Sequence, residues 1–233
     1  MTKHQTNDFF DSNFCYGTPK DIKKRIKKML HDGFSIDTVV DDYGKTLLIE
    51  AVSQKKNTEI IEFIIKNKAN VNAQDINGWT ALHWAVSLSD YETAKLLIEN
   101  GADLNAKTKV NDTPLHISAW NSGVKIPALL IKNGANINPG KGQFGTPIET
   151  ACSCQQYKVA EFLVNISLNL LIFINSCLSA YPRKNTNQSD DVDSTKKYFA
   201  EQLAHMKSEK ERLRKITSQK RIPVDIYFRQ KDE

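Results

Sequence analysis

Cysteine is scarce. The 233 residues hold four, Cys15, Cys152, Cys154 and Cys177, and their spacing outlines no disulfide framework. Cys152 and Cys154 form C-x-C without a second pair or a nearby histidine, so small buried thiols are expected rather than a zinc site. Charge of one sign is modest: the net +5 could assist contact with an acidic partner, but it is no nucleic-acid signature. There is no H-E-x-x-H, no phosphate-cradling glycine loop, no G-x-S-x-G and no calcium loop. These absences remove the usual signposts of catalysis, and no cofactor or metal is expected. No signal peptide or lipidation box is visible, and the final RQKDE is not a retention signal, so a cytoplasmic, reducing setting is expected. The 40% hydrophobic and 25% charged fractions exclude a collagen-like or fully disordered chain.

What the chain does have is a repeat. Thr46-Leu47-Leu48-Ile49-Glu50-Ala51 returns as Thr80-Ala81-Leu82-His83-Trp84-Ala85. It returns again as Thr113-Pro114-Leu115-His116-Ile117-Ser118 and Thr146-Pro147-Ile148-Glu149-Thr150-Ala151. The threonines stand 34, 33 and 33 residues apart. A second phrase keeps step: Gly33-Phe34-Ser35-Ile36-Asp37, Lys68-Ala69-Asn70-Val71-Asn72, Gly101-Ala102-Asp103-Leu104-Asn105 and Gly134-Ala135-Asn136-Ile137-Asn138. Each unit reads as two short helices. Threonine suits the first N-cap, with Pro114 and Pro147 in the first turn, where a missing N–H costs nothing. Leu82, Ala85 and Val86 mark its apolar face. Ile60, Ile61, Ile64 and Ile65, or Ala94, Leu96, Leu97 and Ile98, mark the second helix, and Asn100-Gly101 ends it. Turn-rich segments such as Asn72 to Gly78 join the units. One helix pair cannot bury its apolar face alone, whereas stacked copies can.

These phrases and their period resemble the ankyrin repeat family over about residues 20 to 166. The resemblance implies an all-α solenoid of stacked helix pairs with β-hairpin or turn fingers. Four units run from Asp41. A partial unit precedes them, with Ile22, Ile26, Met29 and Leu30 as its second helix. Lys68 replaces a usual glycine, Ser118 a usual alanine and Glu149 a usual histidine, and Pro127 is expected to begin a helix. The expected division is a tail over 1–18, the repeat domain over 19–166, an apolar capping helix over 167–181, a linker over 182–194, and a basic helix and tail over 195–233.

His83 and His116 recur at one architectural position. The resemblance implies that each imidazole bonds nearby backbone and steadies a finger, rather than forming a metal or acid–base pair. The resemblance also turns the finger segments toward a concave binding surface. Trp79, Trp120, Tyr43 and Phe144 then become partner anchors, the two tryptophans foremost, with Lys45, Asn77 and Asp112 as polar contacts beside them. Large rings bury much area at little entropic cost. Trp84, inside the helical phrase, is expected to pack. Lys23, Lys24, Arg25, Lys27 and Lys28 read as the solvated face of a terminal helix.

Residues 162–181 form a 20-residue run without a charge, long enough to cross a bilayer. Three asparagines and three serines interrupt it, which favours a helix, a bend and a buried capping helix over a membrane span. From Thr195 to Arg221, nine basic and three acidic residues accompany a Phe199, Leu203, Met206, Leu213 stripe, suited to docking on the solenoid or on a partner. The expectation is a monomeric adaptor, scaffold or inhibitor that binds another protein and not nucleic acid. The alternatives are a bacterial effector acting on a eukaryotic host protein and a membrane-tethered scaffold.

Overall fold

The computed structural model describes residues 17–121, 123–167 and Ser208. The chain divides into two compact units, Met1–Gln156 and Tyr157–Glu233. Among the described residues of the first, eight helices follow in order: α1 (Pro19–His31), α2 (Leu47–Ser53), α3 (Thr58–Lys66), α4 (Ala81–Ser87), α5 (Tyr91–Glu99), α6 (Pro114–Ser118), α7 (Lys125–Lys132) and α8 (Pro147–Ser153). In the second, a helix runs over 157–167, with Val159, Ala160, Leu163 and Val164 buried. The capping helix, the linker and the basic tail expected beyond 167 lie outside the described residues, apart from Ser208, as does most of the charge-free run. Among the described residues, no helix is long and apolar enough to cross a membrane.

The helices of the first unit stack in two rows. α2, α4, α6 and α8 pack in sequence along one row, and α1, α3, α5 and α7 along the other. Each first helix also packs on its own second helix, α2 on α3, α4 on α5 and α6 on α7. The partial N-terminal unit supplies a second-row helix, with Ile22, Ile26 and Met29 buried. The core lies between the rows, where Leu47, Leu82, Leu97, Leu115 and Ile117 are buried.

Local chemistry sets the helix ends. Thr46, Thr80 and Thr146 occupy N-caps, each hydroxyl accepting the backbone N–H three residues on. Pro114 and Pro147 open α6 and α8. α7 begins at Lys125, two residues before the expected Pro127, because the N–H groups of a whole first turn need no intrahelical partner and proline can stand anywhere in it. Gly33, Gly101 and Gly134 follow second-row helices in the left-handed conformation, and Lys68 holds that conformation as well, at φ +69°.

The fingers are turns rather than strand pairs; among the described residues only the isolated bridges Val39↔Thr46 and Gly142↔Gly145 form. Side chains close them. Asp41 Oδ1 accepts from the N–H groups of Tyr43 and Lys45, and Asp75 Oδ1 from those of Asn77 and Trp79. Adjacent fingers are then tied in series. Ile76 N–H donates to Tyr43 O at 2.9 Å, Lys109 N–H to Asn77 O at 2.9 Å, and Gln143 N–H to Asp112 Oδ1 at 2.9 Å. Gly78 permits the second approach: it sits at φ +77°, and a Cβ there would meet Thr108 Cα and Lys109 N at 3.0 Å. A second ladder joins the loops after the second-row helices. Asp37 Oδ1 accepts from Asn70 N–H, Asn72 Oδ1 from Asp103 N–H, and Asn105 Oδ1 from Asn136 N–H. Asn121 links first-row helices too, donating to the carbonyls of Val86 and Ser87 at the end of α4.

Candidate functional site

The face built by the fingers and first helices carries the residues singled out in the sequence. In the first finger, Tyr43 is 62% exposed. Lys45 is half-buried, paired to Glu50 at 3.2 Å and Asp41 at 3.6 Å. Its ammonium also stands 5.9 Å from the Tyr43 ring centre and 5.1 Å from that of Trp84, within cation–π range. The second finger adds Trp79, whose ring centre is 5.0 Å from Trp84 and 6.0 Å from His83. Trp84 is half-buried, and its indole N–H donates to Asp75 Oδ2 at 3.3 Å. Trp84 thus packs, as expected, and also bridges Lys45 and Trp79. Asn77 is exposed.

The far end of the face has a smaller cluster. Phe144, 48% exposed, meets Trp120 edge to face, with ring centres 6.0 Å apart and an interplanar angle of 78°. Trp120 is half-buried, and its indole nitrogen is buried without a hydrogen-bond partner. The order of exposure runs opposite to the order in which the anchors are ranked from the sequence. The tryptophans are half covered by their neighbours, and Tyr43 and Phe144 present their rings to solvent. Asp112 corrects the expectation further. It is only 1% exposed, because its carboxylate turns inward to accept the Gln143 N–H of the next finger. A Cβ on Gly142 would collide with it, so the glycine makes room for the carboxylate.

His83 and His116 are buried at the base of the fingers. The Nδ1 of His83 accepts from Thr80 N–H at 3.1 Å, which leaves Nε2 as the protonated nitrogen, donating to Asp112 O at 3.3 Å. His116 repeats the pattern, from Thr113 N–H at 3.1 Å to Gly140 O at 3.2 Å. Desolvation holds the His83 imidazole well below its ordinary value, at about 4, although backbone acceptors and nearby carboxylates favour the charged form. Desolvation lowers His116 as well. Both rings are spoken for as neutral two-ended links, which leaves neither free for acid–base chemistry. Glu149 takes the equivalent place in the fourth unit. It accepts Thr146 N–H at 2.7 Å, and that bond is the leading cause of its lowered pKa. Among the described residues, no three His, Cys, Asp or Glu side chains gather as a metal site.

The sequence reading missed Ile76, 48% exposed, and Val110, 49% exposed. With Tyr43 and Phe144 they put at least one exposed apolar side chain on every finger, these four at separations of 33, 34 and 34 residues. That period was the available signal; it was hidden because only the aromatic members stand out by type.

A family model described as Ankyrin repeats (3 copies) matches residues 20–108, and one described as Ankyrin repeat matches residues 111–140. A comparison with curated proteins gives no match.

Proposed function

Because the chain belongs to the ankyrin repeat family, whose members are generally protein–protein interaction modules, we propose that it captures a partner protein on its finger face and performs no catalysis of its own. The role is that of a monomeric adaptor, scaffold or inhibitor working in a reducing, intracellular setting. Cys152 and Cys154 are not joined in a disulfide, which is compatible with that setting. The observation that carries the reading is the row of exposed apolar side chains, Tyr43, Ile76, Val110 and Phe144, held on fingers that are bonded to one another. Apolar area left exposed on an ordered frame is ready to be covered by a partner. Trp120, half-buried, supports the Phe144 ring edge to face, and Lys45 stands over the Tyr43 ring.

The test uses the full chain and the double substitution Tyr43→Ala/Phe144→Ala as parallel baits for cell lysate, with recovered proteins identified by mass spectrometry. Proteins held by the parent and lost by the double variant, at equal thermal stability of the two baits, are the expected result. An unchanged set of captured proteins would place binding elsewhere and end this reading.

A further inference from the structure

The charges of the fingers are sorted along the row. The first finger carries Asp41 and Asp42, and its only cation, Lys45, is occupied by Asp41 and Glu50. The second finger carries Asp75 alone. The third and fourth reverse the sign: Lys107, Lys109 and Lys141 are exposed and form no ion pair among the described residues. The carboxylate of the third finger, Asp112, is buried and bonded to Gln143 N–H. Glu149, beside Lys141, is engaged by Thr146 N–H. Three ammonium groups outside any ion pair among the described residues, Lys141 with Glu149 within its field, thus flank the apolar tips Val110 and Phe144.

Spacing restricts the backbone that could follow this row. Stacked helices set neighbouring units about 10 Å apart. A polyproline-II segment advances about 3.1 Å per residue with three residues per turn, so side chains i and i+3 lie on one side about 9 Å apart. A helix reaches that separation only at i and i+7, about 10.5 Å apart, so it offers fewer matched side chains per residue than an extended segment does. A regular strand would turn i and i+3 to opposite faces.

We infer that the finger face takes an extended acidic segment of a partner protein, with apolar side chains three residues apart seated on Val110 and Phe144 and intervening carboxylates meeting Lys107, Lys109 and Lys141. The inference rests on the reading of the finger face as the binding surface and adds the chemistry and the direction of its occupant. The acidic part lies over the third and fourth fingers. The end nearer the first finger, where Asp42 is exposed, carries no acidic excess.

The probe is a phage-displayed library of random dodecapeptides panned against the full chain. Recovered sequences are then synthesised and measured by fluorescence anisotropy. The expected sequences are acidic, with two apolar residues three apart. Their affinity falls tenfold or more in Lys107→Glu/Lys109→Glu/Lys141→Glu, and several-fold on raising salt. Circular dichroism and the thermal midpoint check that each variant is folded, and the charge-neutral triple change to Gln replaces the Glu variant if that one does not fold. Acidic peptides that keep their affinity in the folded lysine variant would overturn the inference. Neutral or basic peptides that lose binding in Tyr43→Ala/Phe144→Ala would overturn it too, while leaving the finger face as the site. Peptides indifferent to that double change, or no enrichment at all, would overturn both.

Discussion

The imidazole of His83 donates to the carbonyl oxygen of Asp112, 29 residues further along, while its other nitrogen accepts the N–H of Thr80 three residues before it. One side chain thus satisfies the cap of its own helix and a backbone acceptor in the next finger. Replacing His83 with Ala strands both groups in a buried place. Each orphaned polar group costs about 1–3 kcal/mol, so His83→Ala should lose about 2–6 kcal/mol in urea denaturation. A loss below about 1 kcal/mol would mean that the imidazole is not the link described. Zinc or another metal at one equivalent, removed by the same substitution, would contradict the structural role outright.

The same ring makes stability depend on pH. In the unfolded chain His83 titrates near 6.5, and in the fold near 4. Above 6.5 both states are neutral and the full contribution is present. As pH falls from 6.5 toward 4, only the unfolded chain takes up the proton, so stability drops, and below about 4 no further loss comes from this group. The span is worth about 3 kcal/mol. Denaturation free energies across that window, for the parent and for His83→Gln, should show a smaller drop in the variant. Equal slopes would refute the assignment.

Leu82 and Leu97 are fully buried, on α4 and α5 of the same unit. Either change to Ala leaves a cavity between the rows, with an expected cost of about 2–5 kcal/mol. An unchanged denaturation midpoint for either one would show that the two-row packing is misdescribed.

Lys68 holds φ +69° where the three equivalent positions are glycine. A side chain in that conformation meets its following carbonyl at a cost of about 1–2 kcal/mol, of which glycine returns part through greater freedom when unfolded. Lys68→Gly should therefore stabilise the array by about 0.5–1 kcal/mol, read as a rise in thermal midpoint. A fall would show that the lysine side chain earns its place by some contact.

Much of the fold could be read from residues whose roles are local. Thr80 caps a helix because of its own hydroxyl, Pro147 tolerates a first turn because of its own ring, and Ile22, Ile26 and Met29 declare a face by spacing alone. The site was less legible because its residues depend on distant neighbours. Asp112 looks like an exposed carboxylate until the Gln143 amide, 31 residues later, draws it inward. Trp120 reads as an exposed ring until the T-shaped contact with Phe144, 24 residues later, is seen. Ile76 and Val110 carry no conspicuous chemistry, and only their place on a turn leaves them uncovered.

The cap bonds of the repeat phrase also amount to a row of internal gauges. The Thr80 and Thr113 amides are held by buried rings that are themselves tied to the following finger. For either amide to trade its hydrogen with solvent deuterium, the ring must leave, and its departure breaks the tie to the neighbour. The Thr146 amide is bonded to the exposed carboxylate of Glu149, which can swing away alone. Exchange should therefore be slow at Thr80 and Thr113 and faster at Thr146, so that three chemically similar positions time the parting of successive units.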